Sequence, residues 1–290
     1  MIKEIQAKVL LSHVPQPDTG FGLKYNMNLY RGCEHQCIYC DSRSECYQIE
    51  NFSDVLVKVN AIELLRRELA RKRVKGTIGT GSMSDPYTPA ERRYNLTGQA
   101  LAVIAEYGFP VHIVTKSDMI LKDLDTLCEI NKTLAVVSFT ITTTDDDLAK
   151  KLEPGAPLVS DRLKAMAMLA AQGIWVGVTM MPILPFIEDN AANITDIVVK
   201  AKEAGATYIL PWMGMSLRNR QREYYYEKLD KLFPGLRDKY MWKFGNRYRC
   251  AANDADQLSA LFTELCNRHG LATTVKQIAS ERPPNQLSLL

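Results

Sequence analysis

Three cysteines lie within eight positions near the start of the chain, at a spacing that suits a metal centre. Cys33, Cys37 and Cys40 are four and three positions apart and directly follow a segment with strand character. Thiolates bind soft metals, and one loop can wrap three of them around a single centre. On a four-iron four-sulfur cubane, three thiolates hold three irons and leave the fourth without a protein ligand. The spacing therefore predicts such a cluster, with one iron open to another molecule.

Zinc is the alternative metal for the same thiols, with His35 or Cys46 as the fourth ligand. Structural zinc sites usually come from paired ligand hairpins, and the chain has no second Cys-x-x-Cys, so the cluster is favoured. Seven cysteines is an odd number that fits a reducing compartment better than a disulfide framework. Cys128 and Cys266 occupy apolar positions of predicted helices. Cys46 and Cys250 either approach the cleft or are plain core or surface thiols, and the second interpretation is favoured.

Composition and charge indicate the size of the domain and the cellular compartment. The 290 residues are 46% hydrophobic and 24% charged, enough for one large domain or one domain with an extension. With 36 basic and 33 acidic residues the net charge is +3, so any basic surface must be local. No apolar run approaches the roughly 20 residues that span a bilayer, and the first ten residues include Lys3, Glu4 and Lys8. We predict a cytoplasmic protein without membrane contact.

Six apolar, strand-like runs alternate with segments of helical period, the pattern of a parallel sheet with crossover helices. They are Leu23–Tyr30, Gly76–Gly81, Val111–Thr115, Ala135–Ile141, Ile174–Met180 and Thr207–Trp212. Eight such units close a full (β/α)8 barrel. Six units predict an α/β fold with a partial (β/α)6 TIM-like barrel and an open cleft.

Capping residues predict where several helices begin and end. The predicted helices run from Asp54 to about Arg73, from Asp161 to about Ala171 before Gly173, from Ile194 to Ala204 before Gly205, and from Asp254 to about Arg268.

The pattern changes after residue 212, so we predict a barrel core over 1–212 and a C-terminal extension over 213–290. Between Arg218 and Arg249 the chain holds ten basic, four acidic and eight aromatic residues. This segment is either a nucleic-acid surface with stacking rings or a barrel edge with buried rings and outward charges. Its members include Arg218, Arg220, Arg222, Tyr224, Tyr225, Tyr226, Lys243, Arg247 and Arg249.

Several blocks of the sequence together resemble one enzyme family. The Cys-x3-Cys-x-Tyr-Cys loop is similar to the radical S-adenosylmethionine (SAM) superfamily, and its flanks resemble the branch related to spore photoproduct lyase. The resemblance covers about residues 20–210. The blocks that carry it are 25–33, 84–91, 115–117, 138–140, 153–154 and 182–185.

The resemblance implies a radical SAM enzyme with two cofactors, a 4Fe-4S cluster and SAM. The open iron would chelate SAM, and one electron would cleave it to a 5'-deoxyadenosyl radical that abstracts hydrogen from a substrate. A one-electron donor such as flavodoxin or ferredoxin would supply that electron. The substrate stays unidentified, with nucleic acid as one possibility, and the alternative class is a non-catalytic zinc-binding or nucleic-acid-binding adaptor.

The same resemblance assigns SAM contacts to residues near strand ends. Ser84 and Asp85 suit the methionine ammonium group, and Lys116 suits the carboxylate. Each has a plainer interpretation, because Asp-Pro-Tyr is an ordinary turn sequence and a lysine is usually solvated. The assigned cofactor-binding residues are Tyr39, Ser84, Asp85, Lys116, Ser138 and Thr140, where the last two share one face of a strand.

One position departs from spore photoproduct lyase. That family carries a cysteine two positions before the serine that matches Ser84, and this chain has Ser82 there. We therefore expect a different reaction.

Overall fold

The computed structural model describes residues 1–14, 20–49, 51–52 and 54–274. The strands in these ranges are β1 Ile2–Ile5, β2 Leu11–His13, β3 Tyr25–Met27, β4 Tyr30–Arg31, β5 Val55–Lys58, β6 Ile78–Thr80, β7 Val111–Thr115, β8 Ala135–Thr140, β9 Trp175–Met180, β10 Tyr208–Pro211, β11 Gly214–Ser216 and β12 Arg249–Ala251. The helices are α1 Ala61–Leu69, α2 Glu91–Tyr94, α3 Leu96–Glu106, α4 Leu124–Asn131, α5 Asp146–Leu152, α6 Val159–Ala171, α7 Ala191–Glu203, α8 Gln221–Leu232, α9 Leu236–Phe244 and α10 Ala255–His269.

A seven-stranded sheet in the order β10-β9-β8-β7-β6-β3-β2 forms the barrel wall. Its first six strands are parallel, and β2 pairs antiparallel with β3 at the far edge. All six residues of β8 are buried, as expected for a parallel strand covered on both faces. The six predicted strands and the partial (β/α)6 barrel are confirmed. Strands β3, β6 and β10 are shorter than predicted.

The predicted helix from Asp54 to Arg73 is wrong in its first part. Residues Val55–Lys58 form β5, which pairs with β1 and β4 in a separate three-stranded sheet. Val55 and Val57 alternate with less buried neighbours, and β-branched residues at period two favour a strand. The Asp54 carboxylate binds the N-terminal amine and Lys3 instead of capping a helix. Helix α1 begins later, at Ala61.

Other helix boundaries differ by one turn or less. Asp161 lies in the first turn of α6, which begins at Val159, and Gly173 follows the helix with a left-handed φ of 71°. Helix α7 begins at Ala191 because the Asn190 side chain accepts a hydrogen bond from the Asn193 N–H. The helix predicted from Asp254 to about Arg268 corresponds to α10. In the described residues no helix has both the length and the apolar character to cross a membrane.

Residues 213–274 return to the barrel at two places. Helix α10 packs on α7, and Ala272 pairs with Tyr208 at the open edge of the sheet. Strands β11 and β12 with helices α8 and α9 form an apolar cluster against the cysteine loop. Tyr225 and Tyr226 are buried in that cluster, so these two rings are packing residues and not exposed stacking platforms. The boundary at residue 212 stays a prediction, and 275–290 lie outside the described residues.

Candidate active site at the cysteine loop

The cysteine loop begins directly after β4 and is fixed by close backbone contacts. Gly32 has a φ of 83°, and a Cβ there would lie 2.2 Å from the Asp54 carbonyl oxygen, so only glycine fits. The Gly155 N–H donates to the His35 carbonyl at 3.0 Å, and the Ile38 N–H donates to the Leu152 carbonyl at 2.8 Å. The last residue of α5 and the segment that follows it therefore hold the loop in place.

All three loop cysteines line one cavity of ≈ 300 Å³ at the carboxyl edge of the sheet. Cys33 and Cys37 are buried and Cys40 is half-buried. Side chains from the ends of successive parallel strands complete the lining, which is where α/β barrels carry their active sites. Tyr39 of the loop also lines the cavity, together with Ser82, Ser84, Asp85, Lys116, Thr140, Pro182 and Trp212.

His35 and Asp85 form a charged network beside Cys33. His35 Nδ1 lies 3.3 Å from Asp85 Oδ2, and both side chains are almost fully buried. Burial would lower the pKa of His35, but the charges of Cys33 and Asp85 raise it to about 10. Burial would likewise raise the pKa of Asp85, but the charge of His35, together with hydrogen bonds from the Thr115 hydroxyl and the Lys116 N–H, lowers it to about 2. Both groups are therefore charged at neutral pH.

The carboxylate oxygens of Asp85 accept three hydrogen bonds and face one ion-pair partner. Oδ1 accepts from the Thr115 hydroxyl at 2.7 Å and from the Tyr87 N–H at 2.9 Å, and Oδ2 accepts from the Lys116 N–H at 2.7 Å. With His35 as the fourth partner, Asp85 joins the cysteine loop to the ends of β6 and β7. Its contacts fit the positioning of neighbours better than direct contact with a ligand.

A second network lies beside Cys37 and contains Tyr39, Lys116, Glu153 and Arg162. Arg162 Nη2 is 2.5 Å from Glu153 Oε2, with side-chain exposures of 1% and 2%. The Tyr39 hydroxyl donates to Glu153 Oε1, and Lys116 Nζ lies 3.9 Å from the same oxygen. Burial would lower the pKa of Lys116, but the charges of Cys37 and Glu153 raise it. A charged lysine therefore faces the cavity.

Ser84 carries an unsatisfied polar atom. Its Oγ is buried, lines the cavity, and finds no hydrogen-bond partner within the described part of the chain. Buried hydroxyl groups nearly always have a partner, so an orphan at a cavity wall indicates a missing ligand. This atom and the three thiols fit a site that holds both a cluster and a small polar molecule.

Ser138 and Thr140 share a strand face but differ in their surroundings. Thr140 lines the cavity, where its hydroxyl bonds the Thr179 hydroxyl at 2.9 Å. The Ser138 hydroxyl is fully buried and lies 2.7 Å from both His112 Nε2 and the Tyr208 hydroxyl. Ser138 is not among the residues that line this cavity, so we keep only Thr140 among the proposed contacts.

Within 1–14, 20–49, 51–52 and 54–274, no set of three or more His, Cys, Asp or Glu side chains converges as ligands of one metal ion. A cubane does not require such convergence, because each of three thiolates binds a different iron. Cys46, a candidate zinc ligand, is exposed and lies 3.0 Å from Ser44 Oγ and from Arg218 Nη1.

The fold and cavity together define a class: a partial parallel α/β barrel with a three-thiol loop at its carboxyl edge. The family model of the radical SAM superfamily matches residues 27–197. The chain belongs to that superfamily, whose members use a 4Fe-4S cluster and SAM and require a reductant. The chain is therefore a radical SAM enzyme.

Individual curated proteins and solved structures are also similar to this chain. An uncharacterized protein of Mycobacterium tuberculosis is 30% identical over 246 residues, which cover 82% of this chain and 72% of the relative. A radical SAM Nα-GlyT isomerase of Pseudomonas phage M6 is 26% identical over 187 residues, covering 61% and 38%. The structure of spore photoproduct lyase complexed with dinucleoside spore photoproduct has a TM-score of 0.71 at 15% identity, covering 94% of this chain and 81% of that one. The resemblance to spore photoproduct lyase is thus confirmed for the fold.

Sequence reasoning missed Arg162 and the pairing of His35 with Asp85. The sequence contains a signal for Arg162, because helical spacing places it on the same face of α6 as four buried residues. They lie three, four or seven positions away and are Val159, Ala165, Met166 and Leu169. A charged residue on the buried face of a helix requires a buried partner. No comparable local pattern pairs His35 with Asp85, which is fifty positions away.

Proposed function

We propose that this radical SAM enzyme cleaves SAM reductively and abstracts a hydrogen atom from a substrate bound in the cavity. The observation that carries the proposal is the buried, unpartnered Ser84 Oγ in the same cavity as Cys33, Cys37 and Cys40. When bound, the cluster and SAM supply one electron and a 5'-deoxyadenosyl radical.

The residues of the chain divide into holding, binding and positioning roles. Cys33, Cys37 and Cys40 hold the cluster through their thiolates. The Lys116 ammonium group, charged within the cavity, pairs with the carboxylate of the methionine moiety. The Ser84 hydroxyl hydrogen-bonds the polar groups of that moiety.

Three further residues complete the proposed contacts. The Thr140 hydroxyl lies on the cavity wall and reaches the ribose. Tyr39 stacks its ring against Lys116, whose Nζ lies 5.6 Å from the ring centroid. Asp85 acts indirectly, since its hydrogen bond to the Lys116 N–H fixes the backbone from which that lysine extends.

We propose an acidic electron carrier, flavodoxin or ferredoxin, as the physiological reductant. The net charge of the chain is only +3, so recognition would depend on a local basic surface.

A nucleic acid is the substrate class that we favour. Trp212 lines the cavity and is 41% exposed, which offers a ring on which a base can stack at the entrance. Among the similar proteins is spore photoproduct lyase complexed with dinucleoside spore photoproduct. Trp212→Ala should weaken oligonucleotide binding. Equal oligonucleotide affinity in the variant and the parent protein would contradict a stacking role for Trp212.

The proposed reaction differs from that of spore photoproduct lyase. In the spore photoproduct lyase family, the position that matches Ser82 carries a cysteine. In this chain Ser82 lines the cavity. An oxygen–hydrogen bond is much stronger than a sulfur–hydrogen bond, so serine is a poor hydrogen donor to a carbon radical. Cys250 is not among the cavity-lining residues and is buried in the cluster behind the loop.

The decisive experiment combines metal analysis with product detection under anaerobic conditions. Reconstituted protein should contain iron and sulfide near four per chain, and with dithionite and SAM it should form 5'-deoxyadenosine. Ser84→Ala should retain the iron and bind SAM more weakly. Colourless protein with stoichiometric zinc and no 5'-deoxyadenosine would instead support the adaptor.

A further inference from the structure

An open pocket of ≈ 400 Å³ lies beside the first cavity, the one that holds the cysteines. Its lining includes three basic residues, Lys8, Arg31 and Lys58, and within the described part of the chain it includes no acidic residue. We call it the Lys58 pocket. Met83 lines both this pocket and the first cavity, so the two share part of one wall.

The small sheet brings two of the cations together. Lys58 is the last residue of β5 and pairs with Ile5 at the end of β1. Arg31 of β4 lies opposite Leu56 of β5, and Lys58 is two positions further along that strand. Residues two apart on a strand share a face, so the Arg31 and Lys58 side chains leave the sheet on the same side. Their proximity is set by strand pairing and not by flexible surface side chains.

Arg31 has an unpaired donor. Its Nη2 donates to the Tyr47 carbonyl at 2.8 Å and to the Gln48 carbonyl at 3.3 Å, which fixes the guanidinium group. Its Nε is buried and finds no acceptor among the described residues. Buried donors nearly always have a partner, and the rigid fork of a guanidinium group matches the oxygens of a phosphate. The unpaired Nε therefore indicates an oxygen ligand.

Asn28 adds a second unpaired group to the same lining. Its Oδ1 is buried and has no hydrogen-bond partner in the described ranges. A half-turn of the amide exchanges this oxygen for the Nδ2 donor, so the side chain can hydrogen-bond a phosphate oxygen. The Asn28 carbonyl also accepts a hydrogen bond from Lys58 Nζ at 2.6 Å, which holds the ammonium group at the pocket.

The positive charge of the pocket is only partly compensated. Burial and the charge of Arg31 lower the pKa of Lys58, against the opposing charge of Glu68. Both Glu68 oxygens already accept hydrogen bonds from backbone N–H groups, each at 2.9 Å. Lys8, the third cation, is exposed at the mouth of the pocket. A bound anion would offset the repulsion between these cations.

We propose that the Lys58 pocket binds a phosphate group of the substrate, an inference that rests on the proposed function. Arg31, Lys58 and Lys8 contact the phosphate oxygens, and the rest of the substrate passes Met83 into the first cavity. Phosphate is common to the phosphodiesters of a nucleic acid and to small phosphate esters, and the pocket recognises that shared group. Binding involves no covalent step.

Phosphate affinity tests the pocket without any turnover. Cluster-loaded, oxidised protein without SAM is titrated with inorganic phosphate, thymidine 5'-monophosphate and thymidine, followed by NMR of the ligands. Labelled single-stranded dodecathymidylate is titrated by fluorescence anisotropy. All titrations use one ionic strength, because salt screens exposed charges.

Removal of two cations should weaken phosphate binding selectively. In Lys8→Gln/Lys58→Gln, Kd for inorganic phosphate and for thymidine 5'-monophosphate should rise about tenfold or more, since charge-assisted hydrogen bonds are lost. Thymidine, which lacks the phosphate, should bind the variant and the parent equally. Iron content should stay parental, because no thiolate changes. A matching loss for dodecathymidylate would identify a nucleic acid as the source of the phosphate, and parental dodecathymidylate affinity would identify a small phosphate ester.

Two further variants keep the test decisive. Lys8→Glu changes one exposed side chain and should weaken phosphate binding in the same direction if the double variant folds poorly. Lys164→Gln/Lys202→Gln makes the same change in net charge as the double variant, on exposed positions of α6 and α7. This control should keep the parental Kd for every probe.

Each contrary result has a distinct meaning. Parental phosphate affinity in both pocket variants, or an equal loss in the α6–α7 control, would overturn the pocket. Weaker thymidine binding in the double variant would also overturn it, because the effect would not depend on phosphate. Inorganic phosphate binding without tighter binding of either nucleotide probe would overturn the substrate assignment and leave a site for a free anion. Absence of 5'-deoxyadenosine from the parent with dithionite and SAM would instead refute the proposed function.

Discussion

Two charged networks flank the cysteine loop, and they differ in what they leave open. The network beside Cys33 is closed, because the Thr115 hydroxyl and two backbone N–H groups donate to the Asp85 oxygens and His35 Nδ1 lies 3.3 Å away as a charge partner. The network beside Cys37 is open on one side, because Lys116 contacts Glu153 only at 3.9 Å and lines the cavity. A closed network positions its members, whereas an open one can bind a charged ligand.

The cost of burial explains why both networks contain cations. Removing a carboxylate from water is expensive unless it is paired and hydrogen-bonded. Asp85 has His35, and Glu153 has Arg162 and Lys116. Burial would raise the pKa of Glu153, but these two cations lower it, so it stays ionised.

The largest effect is expected where the two networks meet the proposed cluster. Cys37→Ala should remove most of the iron and all 5'-deoxyadenosine formation, because the loop has no spare thiolate in the first cavity. Cys128→Ala, on the half-buried face of α4, is the matched control and should change neither. Iron analysis and product chromatography measure both, and full iron retention in Cys37→Ala would contradict the ligand assignment.

The next largest effect should come from breaking the buried pair in the open network. Arg162→Met leaves Glu153 with its oxygens buried and one cation fewer, so the free energy of unfolding should fall by about 3 to 5 kcal/mol. Urea denaturation measures the loss. Arg268→Met breaks an exposed pair with Glu264 and should cost less than about 1 kcal/mol. Similar losses in both variants would mean that the buried pair is not the structural centre of this network.

The two networks also mark the boundary of what the sequence could predict. The six barrel strands follow from runs such as Val111–Thr115, whose apolar pattern is local and whose bounds are confirmed. The networks join residues as far apart as Tyr39 and Glu153, which are 114 positions apart. No local periodicity encodes such pairings. The first part of the helix predicted from Asp54 was wrong for a related reason, since β5 exists through its pairing with β1 and β4.

A smaller effect distinguishes the open network from the closed one directly. Lys116→Ala should weaken SAM binding about tenfold or more, because one charge-assisted hydrogen bond is worth about 1.5 to 3 kcal/mol. Iron content should stay at the parental level, since no thiolate is removed. Equilibrium binding of SAM to the oxidised protein measures the affinity. Lys164→Ala is the control, and equal SAM affinity in the two variants would assign Lys116 a structural role only.

The smallest effect concerns Glu188, a buried carboxyl group outside both networks. It accepts hydrogen bonds from the Thr142 hydroxyl at 2.7 Å and the Leu184 N–H at 2.9 Å, and no ion pair is found for it among the described residues. Burial raises the pKa of Glu188 well above the usual range, although those two hydrogen bonds lower it. The folded protein therefore keeps a proton that the unfolded chain releases above about pH 4.3.

The sign of the pH dependence follows from this difference. Above the unfolded pKa the native state binds more protons, so this group makes the free energy of unfolding fall as pH rises. Glu188→Gln removes the titration and keeps a side chain of the same shape. Its stability relative to the parent should improve by about 1 kcal/mol or more between pH 5 and pH 7, at about 1.4 kcal/mol per unit of pKa difference. Urea denaturation at both values measures it, with the exposed Glu264→Gln as a control that should show no such trend. A difference independent of pH would mean that Glu188 is ionised in the folded protein, and that burial without a cation does not set the charge state of carboxyl groups beside this site.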